Sequence, residues 1–316
     1  MSSRAMELTV ERDLPPVLAD LPATALADQL GGPTLFDLRK PDQPPLFVSV
    51  LLHGNEVSGW DAVRALFAEI TDASTLLFLG NLEAAAHGVR ALPGRADFNR
   101  VWEQGESAEA AVAAEVTTYV KAANPRMALD IHNTTGENPP YAVISRLDPE
   151  TLAFAGAFST RALLATQPHG FQTRRFAQFC TAMTIEVGTP EDPSSTTRAT
   201  GFLAALLADN APPNGARVPE SLSLYETAAR VTLADGTVLD PDMQRFNFRT
   251  APAGTALTRS GSLHATAADD RDLGPEYFGT NNGLAVLKRP TMLAMYTGEE
   301  EAARRDCLCY FLEPVT

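Results

Sequence analysis

Cysteine and long apolar runs are scarce in this sequence. Only 3 of its 316 residues are cysteine, and none of the three stands in a CxxC pair. We interpret them as buried thiols rather than redox or metal groups. The longest apolar runs, 46–52 and 201–208, fall well short of the roughly 18 residues that cross a bilayer. The N-terminus lacks a signal-peptide core, so we expect a soluble, cytoplasmic protein.

Positive charge is also in short supply. The chain has 25 Lys and Arg against 39 Asp and Glu, a formal net charge of −14. This balance argues against a nucleic-acid partner, which needs a basic face, and against docking on an anionic membrane. With 45% hydrophobic and 20% charged residues, the composition is that of a globular protein with a sizeable core.

Several common catalytic motifs are missing. The sequence has no GxSxG elbow, no HExxH, no Walker loop and no GxGxxG, and its cysteines lie in no recognisable nucleophile motif.

Up to about residue 210, short apolar runs alternate with helical patterns. We interpret 46–52, 74–81, 127–131, 141–145 and 182–187 as buried strands. We interpret 57–70, 107–123, 151–165 and 197–209 as helices. The alternation predicts an α/β fold with a mostly parallel sheet covered by helices on both faces.

The pattern of apolar and polar residues changes after residue 210. The segment 209–221 contains three prolines and a glycine, which is typical of a linker or long turn. Past it lie short alternating segments and a turn signal at Asp235-Gly236. We therefore predict two domains, a catalytic domain over 1–210 and a smaller β-rich domain over 211–316.

Two of the five histidines follow apolar strands. His53 comes where 46–52 ends, Glu56 is three residues on, and His132 ends another strand. Ligands bind at the carboxyl ends of strands in open α/β sheets. Two histidines and one carboxylate match a catalytic zinc set with an open position, and Asp130 could support His132. Read alone, H-x-x-E also suits a capping glutamate and a partly buried histidine.

Other residues could complete such a site. Glu186 ends a strand, where a carboxylate can serve as general base to a metal-activated water. Asn99 and Arg100, with Arg90 upstream, suit capture of a carboxylate. The alternatives are a glutamate paired with an arginine, and a solvated loop with scattered arginines.

The ordered set of motifs resembles the succinylglutamate desuccinylase and aspartoacylase family, which is related to the zinc carboxypeptidases. The set comprises HGNE (53–56), N-x-x-A (81–84), Arg90, DFNR (97–100), DIHNTTG (130–136) and IEVG (185–188). The resemblance implies a zinc-carboxypeptidase-like mixed, mostly parallel sheet and a β-rich C-terminal domain.

The resemblance also implies roles for individual residues. His53, Glu56 and His132 would bind one zinc ion per chain, and Glu186 would be the general base and later the acid. Arg90 would polarise the scissile carbonyl. In addition, Asn99 and Arg100 would hold the substrate carboxylate.

Two features of the family have no clear counterpart here. Aspartoacylases carry an arginine about ten residues before the catalytic glutamate, which reads the acidic side chain of the substrate. Arg174 and Arg175 are the available residues, at a different spacing. A tyrosine of the C-terminal domain often completes the pocket, and Tyr277 and Tyr296 are both open choices.

The resemblance predicts a zinc-dependent amide hydrolase that removes the acyl group from a small anionic N-acyl amino acid, with an acidic side chain. The alternatives are a carboxypeptidase-like metallopeptidase with the same zinc centre, and a zinc-binding protein with an idle catalytic fold. The sequence is also compatible with a homo-oligomer.

Overall fold

The computed structural model describes residues 6–165, 167–208 and 217–315. Its strands are β1 Thr9–Glu11, β2 Thr34–Leu38, β3 Leu46–Val50, β4 Thr75–Leu79, β5 Met127–His132, β6 Tyr141–Ile144, β7 Arg161–Leu164, β8 Thr181–Glu186, β9 Ser223–Leu233, β10 Val238–Leu239, β11 Thr250–Ala251, β12 Thr258–Ser260, β13 Leu263–Thr266, β14 Phe278–Asn281, β15 Leu284–Leu287, β16 Thr291–Ala294 and β17 Cys309–Pro314.

The α-helices are α1 Leu26–Leu30, α2 Ser58–Ala65, α3 Phe67–Asp72, α4 Leu82–Ala86, α5 Ala108–Ala123, α6 Pro149–Phe158, α7 Gln172–Phe176, α8 Pro193–Ala208, α9 Gly274–Tyr277 and α10 Glu300–Arg305. Short 3-10 helices cover Pro16–Asp20, Ala23–Ala25, Phe98–Arg100 and Pro241–Phe246. None of the helices in the described part of the chain is both long and apolar enough to cross a membrane.

One mixed sheet runs through the molecule. Its strand order is β1-β2-β4-β3-β5-β8-β6-β7-β9-β17-β16-β11, and β13 also pairs with β9. The central neighbours β4–β3, β3–β5 and β5–β8 are parallel, and β6 joins β8 antiparallel. The parallel centre confirms the predicted fold class. It also brings the carboxyl ends of β3, β5 and β8 to one edge of the sheet.

Helices cover both faces of this centre. On one face Trp60 and Val63 of α2 and Leu203 of α8 are fully buried against the sheet. On the other face α5 buries Val112 and Val116. Each helix has an apolar stripe at helical spacing, because only one side of it meets the sheet.

Two predicted helices differ from the structure. The pattern 151–165 predicts one helix, but α6 ends at Phe158 and residues 161–164 form β7. The apolar residues of β7 fit the spacing of the preceding helix as well as that of a strand. These residues form a strand because they pair with β6. The helix predicted over 57–70 is divided at Leu66, whose φ of −115° and ψ of 30° are not helical.

The C-terminal region is rich in strands, as the sequence predicts. Strands β9 and β17 extend the central sheet through β7, so the sheet continues past the predicted boundary at residue 210. The predicted linker 209–221 lies outside the described residues as far as position 216. A second apolar cluster, which includes Val231, Leu293 and Phe311, forms the core of this region.

Candidate active site

A tight turn after β3 presents His53. Leu51 has a φ of 59°, a left-handed conformation that an L-residue adopts only where its surroundings impose it. A Cβ on Gly54 would lie 2.2 Å from the backbone nitrogen of Ala85, so the turn requires glycine here. The turn thus places His53 and Glu56, both buried, over the end of the strand.

His53 meets His132, which ends β5, across the edge of the sheet. Their Nδ1 atoms are 3.1 Å apart, and both rings contact the carboxylate of Glu56. The Oε1 atom of Glu56 is 2.8 Å from His53 Nδ1, and Oε2 is 2.7 Å from His132 Nδ1. The structure therefore brings together the three predicted metal ligands, whose ligand atoms all lie within 4.8 Å of one another.

Each imidazole is held from behind by a second carboxylate. His53 Nε2 lies 3.0 Å from Oδ1 of Asp97, and His132 Nε2 lies 2.8 Å from Oδ2 of Asp130. A carboxylate that accepts from Nε2 directs the Nδ1 atom towards a metal. The sequence suggested Asp130 for this position, whereas Asp97 was recognised only as part of the DFNR motif.

The charges around the two rings favour a cation. Burial lowers the pKa of His132, but the carboxylates of Asp130 and Glu56 outweigh it and raise this pKa well above its ordinary value. Burial raises the pKa of Glu56, but the charges and hydrogen bonds of the two histidines outweigh burial and bring this pKa below its ordinary value. Two imidazoles and one carboxylate, buried and supported by further carboxylates, are the donor set of a catalytic zinc site. The residues present therefore fit a divalent metal ion.

Glu186 stands beside this group on the sheet. It pairs with His132 across β5 and β8, and with Tyr141 across β8 and β6, so all three side chains lie on one face. Burial and the negative charge of Glu56 raise the pKa of the Glu186 carboxyl to about 8, against the opposing effect of His132. Among the described residues no hydrogen bond engages this carboxylate, and none engages the buried hydroxyl of Tyr141.

Arg90 contacts the predicted metal ligand Glu56 and the carboxylate behind His53. Its guanidinium lies 2.9 Å from Asp97 Oδ2 and 3.5 Å from Glu56 Oε1. Burial lowers the pKa of Arg90, but Asp97 and Glu56 outweigh that effect and raise it. Asp97 therefore links the arginine to His53.

Asn99 and Arg100 follow Asp97 in a short 3-10 helix. The side-chain nitrogen of Asn99 is 3.3 Å from His132 Nε2, and its oxygen accepts from the backbone of Gln172. The Nη2 atom of Arg100 donates to Asp306 Oδ2 at 2.5 Å. Burial lowers the pKa of Arg100, and Asp306 outweighs it and raises the pKa beyond its already high value.

These residues line one cavity of about 380 Å³. Its floor is the sheet edge with the two histidines, and its roof comes from the C-terminal region. The residues that the C-terminal region contributes are Thr227, Met295, Thr297, Glu299, Glu301, Ala302, Arg305, Asp306, Cys307 and Tyr310. The C-terminal region thus contributes part of the cavity lining.

Four predicted pocket residues lie elsewhere. Arg174 in α7 pairs with Glu103, 3.1 Å away, and Arg175 donates to Gln178. Neither of these half-buried arginines lines the cavity. Tyr277 packs on Phe311, and the Tyr296 hydroxyl reaches backbone carbonyls inside the C-terminal core.

Two other tyrosines line the cavity instead. Tyr141 lies at the start of β6 and Tyr310 at the start of β17, both buried. Sequence reasoning used Tyr141 only as part of a strand and did not consider Tyr310. The alternation of sides along 141–144 was not enough to identify Tyr141, since position 141 lies level with Glu186 only after the strands are paired.

Solved structures of low identity share this fold. A succinylglutamate desuccinylase from Chromobacterium violaceum is 22% identical, with a TM-score of 0.58 over 89% of this chain and 87% of that one. Murine aminoacylase 3 is 16% identical, with a TM-score of 0.61 over 88% and 97%. The product-bound ectoine utilization protein EutE (DoeB) from Ruegeria pomeroyi is 16% identical, with a TM-score of 0.57 over 90% and 88%.

Sequence comparison gives the family. A search of curated proteins finds no match. The profile of the succinylglutamate desuccinylase/aspartoacylase catalytic domain matches residues 42–207, more than half of the chain. This match confirms the resemblance drawn from the motifs, and the chain belongs to the succinylglutamate desuccinylase/aspartoacylase family.

Proposed function

We propose that the protein is a zinc-dependent amide hydrolase that removes the acyl group from a small N-acyl amino acid. The observation that carries the proposal is the convergence of His53, Glu56 and His132 beside Glu186, in the lining of one cavity. The same family has members named for the removal of acyl groups, which supports the reaction class.

The three ligands would hold one zinc ion per chain. Zinc in such a site polarises a carbonyl and lowers the pKa of a bound water. The protein's contribution is to fix the ligands, through Asp97 behind His53 and Asp130 behind His132. A ligand set held in this way retains its geometry during turnover.

Glu186 would move the proton. Its carboxylate accepts the proton of the attacking water, and then gives it to the nitrogen of the departing amine as the C–N bond breaks. Its position beside His132 on the neighbouring strand supports this role. The acyl carboxylate and the free amino acid are the products.

Arginine and asparagine side chains would orient the substrate. Arg90, held by Asp97, would donate to the carbonyl oxygen as negative charge develops there. Asn99 and Arg100, which line the same cavity, would hold the substrate carboxylate. Asn99 has little freedom, because its oxygen is already fixed by the Gln172 backbone.

The size of the cavity favours a small substrate over a peptide. Residues 211–316 would act as a separate domain that covers the catalytic domain 1–210, and Met295, Thr297 and Tyr310 already contribute to the lining. A peptidase needs a crevice that is open along the chain of its substrate. The metallopeptidase alternative therefore has less support, and an idle fold would have no need of Glu186.

The test is release of free amine from a panel of substrates by the zinc-loaded protein. The panel crosses acetyl and succinyl groups with acidic, neutral and basic amino acids, and includes dipeptides. Hydrolysis of N-acyl amino acids that stops with a chelator and returns with zinc supports the proposal. Hydrolysis of dipeptides alone would favour the peptidase, and zinc binding without turnover of any member would favour the idle fold.

A further inference from the structure

One face of the sheet changes from polar to apolar next to the cluster of His53, Glu56 and His132. Register pairs Ser49 with Asp130, Asp130 with Thr184, and Thr184 with Val143, which in turn pairs with Leu163. Paired residues point to the same side of a sheet, so these five form one row. The row is polar on β3, β5 and β8, and apolar on β6 and β7.

The apolar end of this row borders the cavity. Val143, Leu163 and Ala165 line it, together with Phe171 and Met295 from outside these strands. We call these five residues the apolar recess. Leu163 is 1% exposed and Phe171 is 5% exposed, because both belong to one buried apolar cluster that also includes Phe248 and Leu312. An apolar wall of this kind stabilises an apolar group and makes a charged one costly to bury.

The cations of the cavity are already paired with carboxylates of the chain. Arg90 contacts Asp97, Arg100 contacts Asp306, and Arg305 contacts Glu301 at the rim. No other lysine or arginine lines the cavity in the part of the chain that the structure describes. Glu299 and Glu301 at the same rim add negative charge, which opposes the entry of a second substrate carboxylate.

We propose that the apolar recess binds an uncharged, apolar group of the substrate. This inference rests on the proposed function and departs from the acidic side chain expected from the sequence. The carboxylate of the amino acid meets the Arg100 side of the cavity, and an aliphatic or aromatic group lies over β6 and β7. Either the acyl chain or the amino-acid side chain of the substrate could supply this group. Whichever part enters the recess must be apolar.

Binding to an inactive variant tests the recess without turnover. Titration calorimetry with zinc-loaded Glu186→Gln protein would compare matched ligands in two arms. One arm compares N-acetyl-L-norleucine with N-acetyl-L-glutamate, and the other compares N-pentanoyl-L-alanine with N-succinyl-L-alanine. We expect the apolar member to bind at least tenfold more tightly in one arm, and that arm identifies the source of the group.

Two adjacent leucines of β7 supply a matched pair of variants. Leu163→Ala removes atoms from the recess, whereas Leu164→Ala removes the same atoms from the opposite face, where Leu164 packs in another apolar cluster. We expect Leu163→Ala to reduce the preference for the apolar ligand about tenfold, and Leu164→Ala to leave this ratio unchanged. Because the readout is a ratio of affinities, a general loss of stability does not imitate the effect.

The outcomes separate the recess from the proposed function. Tighter binding of the acidic member in both arms, equal binding, or no binding of any ligand would overturn the recess. An unchanged ratio in Leu163→Ala would overturn it as well. Failure of the wild-type zinc protein to hydrolyse any of the four compounds, while the apolar preference in binding persists, would overturn the proposed function alone.

Discussion

Arg100 and Asp306 form an ion pair across the roof of the cavity, with 2.5 Å between Nη2 and Oδ2. Arg100 is the last residue of the DFNR motif, and Asp306 follows α10 of the C-terminal region, 206 positions away. Burial raises the pKa of Asp306, but Arg100 and its neighbouring arginines lower it overall, so the group is ionised at neutral pH. An arginine expected to bind substrate therefore already binds a carboxylate of its own chain.

Replacing Asp306 with asparagine should change which substrates are accepted. Asp306→Asn keeps the shape and frees the charge of Arg100, so we expect kcat/KM for an acidic N-acyl amino acid to rise about tenfold relative to an apolar one. Steady-state kinetics on the matched pair measures the ratio. If both values fell in parallel, the ion pair would be structural and would not set the charge preference.

Loss of the carboxylate at position 186 should separate metal binding from chemistry. Glu186→Gln preserves size and hydrogen-bonding ability, so we expect the zinc content to stay at one ion per chain while kcat falls by about 10³-fold. Metal analysis and amine release would be measured on the same preparation. Near-normal kcat in this variant would remove Glu186 from proton transfer.

Local patterns in the sequence predicted the sheet edge well. The ends of strands β3, β5 and β8 match the predicted segments to within two residues, because each strand is a short apolar run followed by a turn. For the same reason His53, Glu56 and His132 could be placed at strand ends from the sequence. The family resemblance then ordered them as one set.

Long-range pairing was beyond the sequence. The contact of Arg100 with Asp306, and the positions of Tyr141 and Tyr310, depend on which strands become neighbours. The apolar residues of β7 fit a helix as well as a strand, and only pairing with β6 distinguishes the two. The two half-buried arginines of α7 were expected in the pocket because of their sequence distance from Glu186, a measure that ignores the direction of the helix.

The carboxylates behind the histidines should set metal affinity. Asp130 is 1% exposed and contacts His132 Nε2 at 2.8 Å, so Asp130→Asn weakens the polarisation of the ring. We expect zinc to bind 10- to 100-fold more weakly, about the range for such partners. Competition with a chromophoric chelator measures this directly, with Asp192→Asn, at a half-exposed position just before α8, as the matched control. Unchanged affinity in Asp130→Asn would show that it does not support the metal.

The buried hydroxyl of Tyr141 should matter for turnover but little for stability. It has no hydrogen-bond partner among the described residues, so Tyr141→Phe removes no bond of the folded chain. We expect the melting temperature to change by less than about 2 °C and kcat/KM to fall about 10- to 100-fold, since Tyr141 lines the cavity and is paired with Glu186 across the sheet. A variant with full activity would show that the hydroxyl does not contact the reacting group.

Asp37, which does not line the active-site cavity, should make the free energy of unfolding depend on pH in the acid range. Its side chain is 1% exposed and is bonded to Arg39 at 2.7 Å and Tyr119 at 2.6 Å. Burial raises its pKa, but these hydrogen bonds outweigh burial and lower the pKa from 3.8 to about 2. Because the folded state holds the ionised form more strongly, the stabilisation is complete above about pH 4 and is lost as the pH falls towards 2.

Urea unfolding of wild type and Asp37→Asn between pH 2 and pH 7 measures this contribution. We expect the variant to be about 2 kcal/mol less stable at neutral pH, and the difference to shrink below about pH 4. Asp61→Asn is the matched control, because Asp61 forms an ion pair with Arg64 at the surface and exposed pairs contribute at most about 1 kcal/mol. A difference for Asp37→Asn that stays constant down to pH 2 would mean that packing, and not the charge of this carboxylate, stabilises the first strands of the sheet.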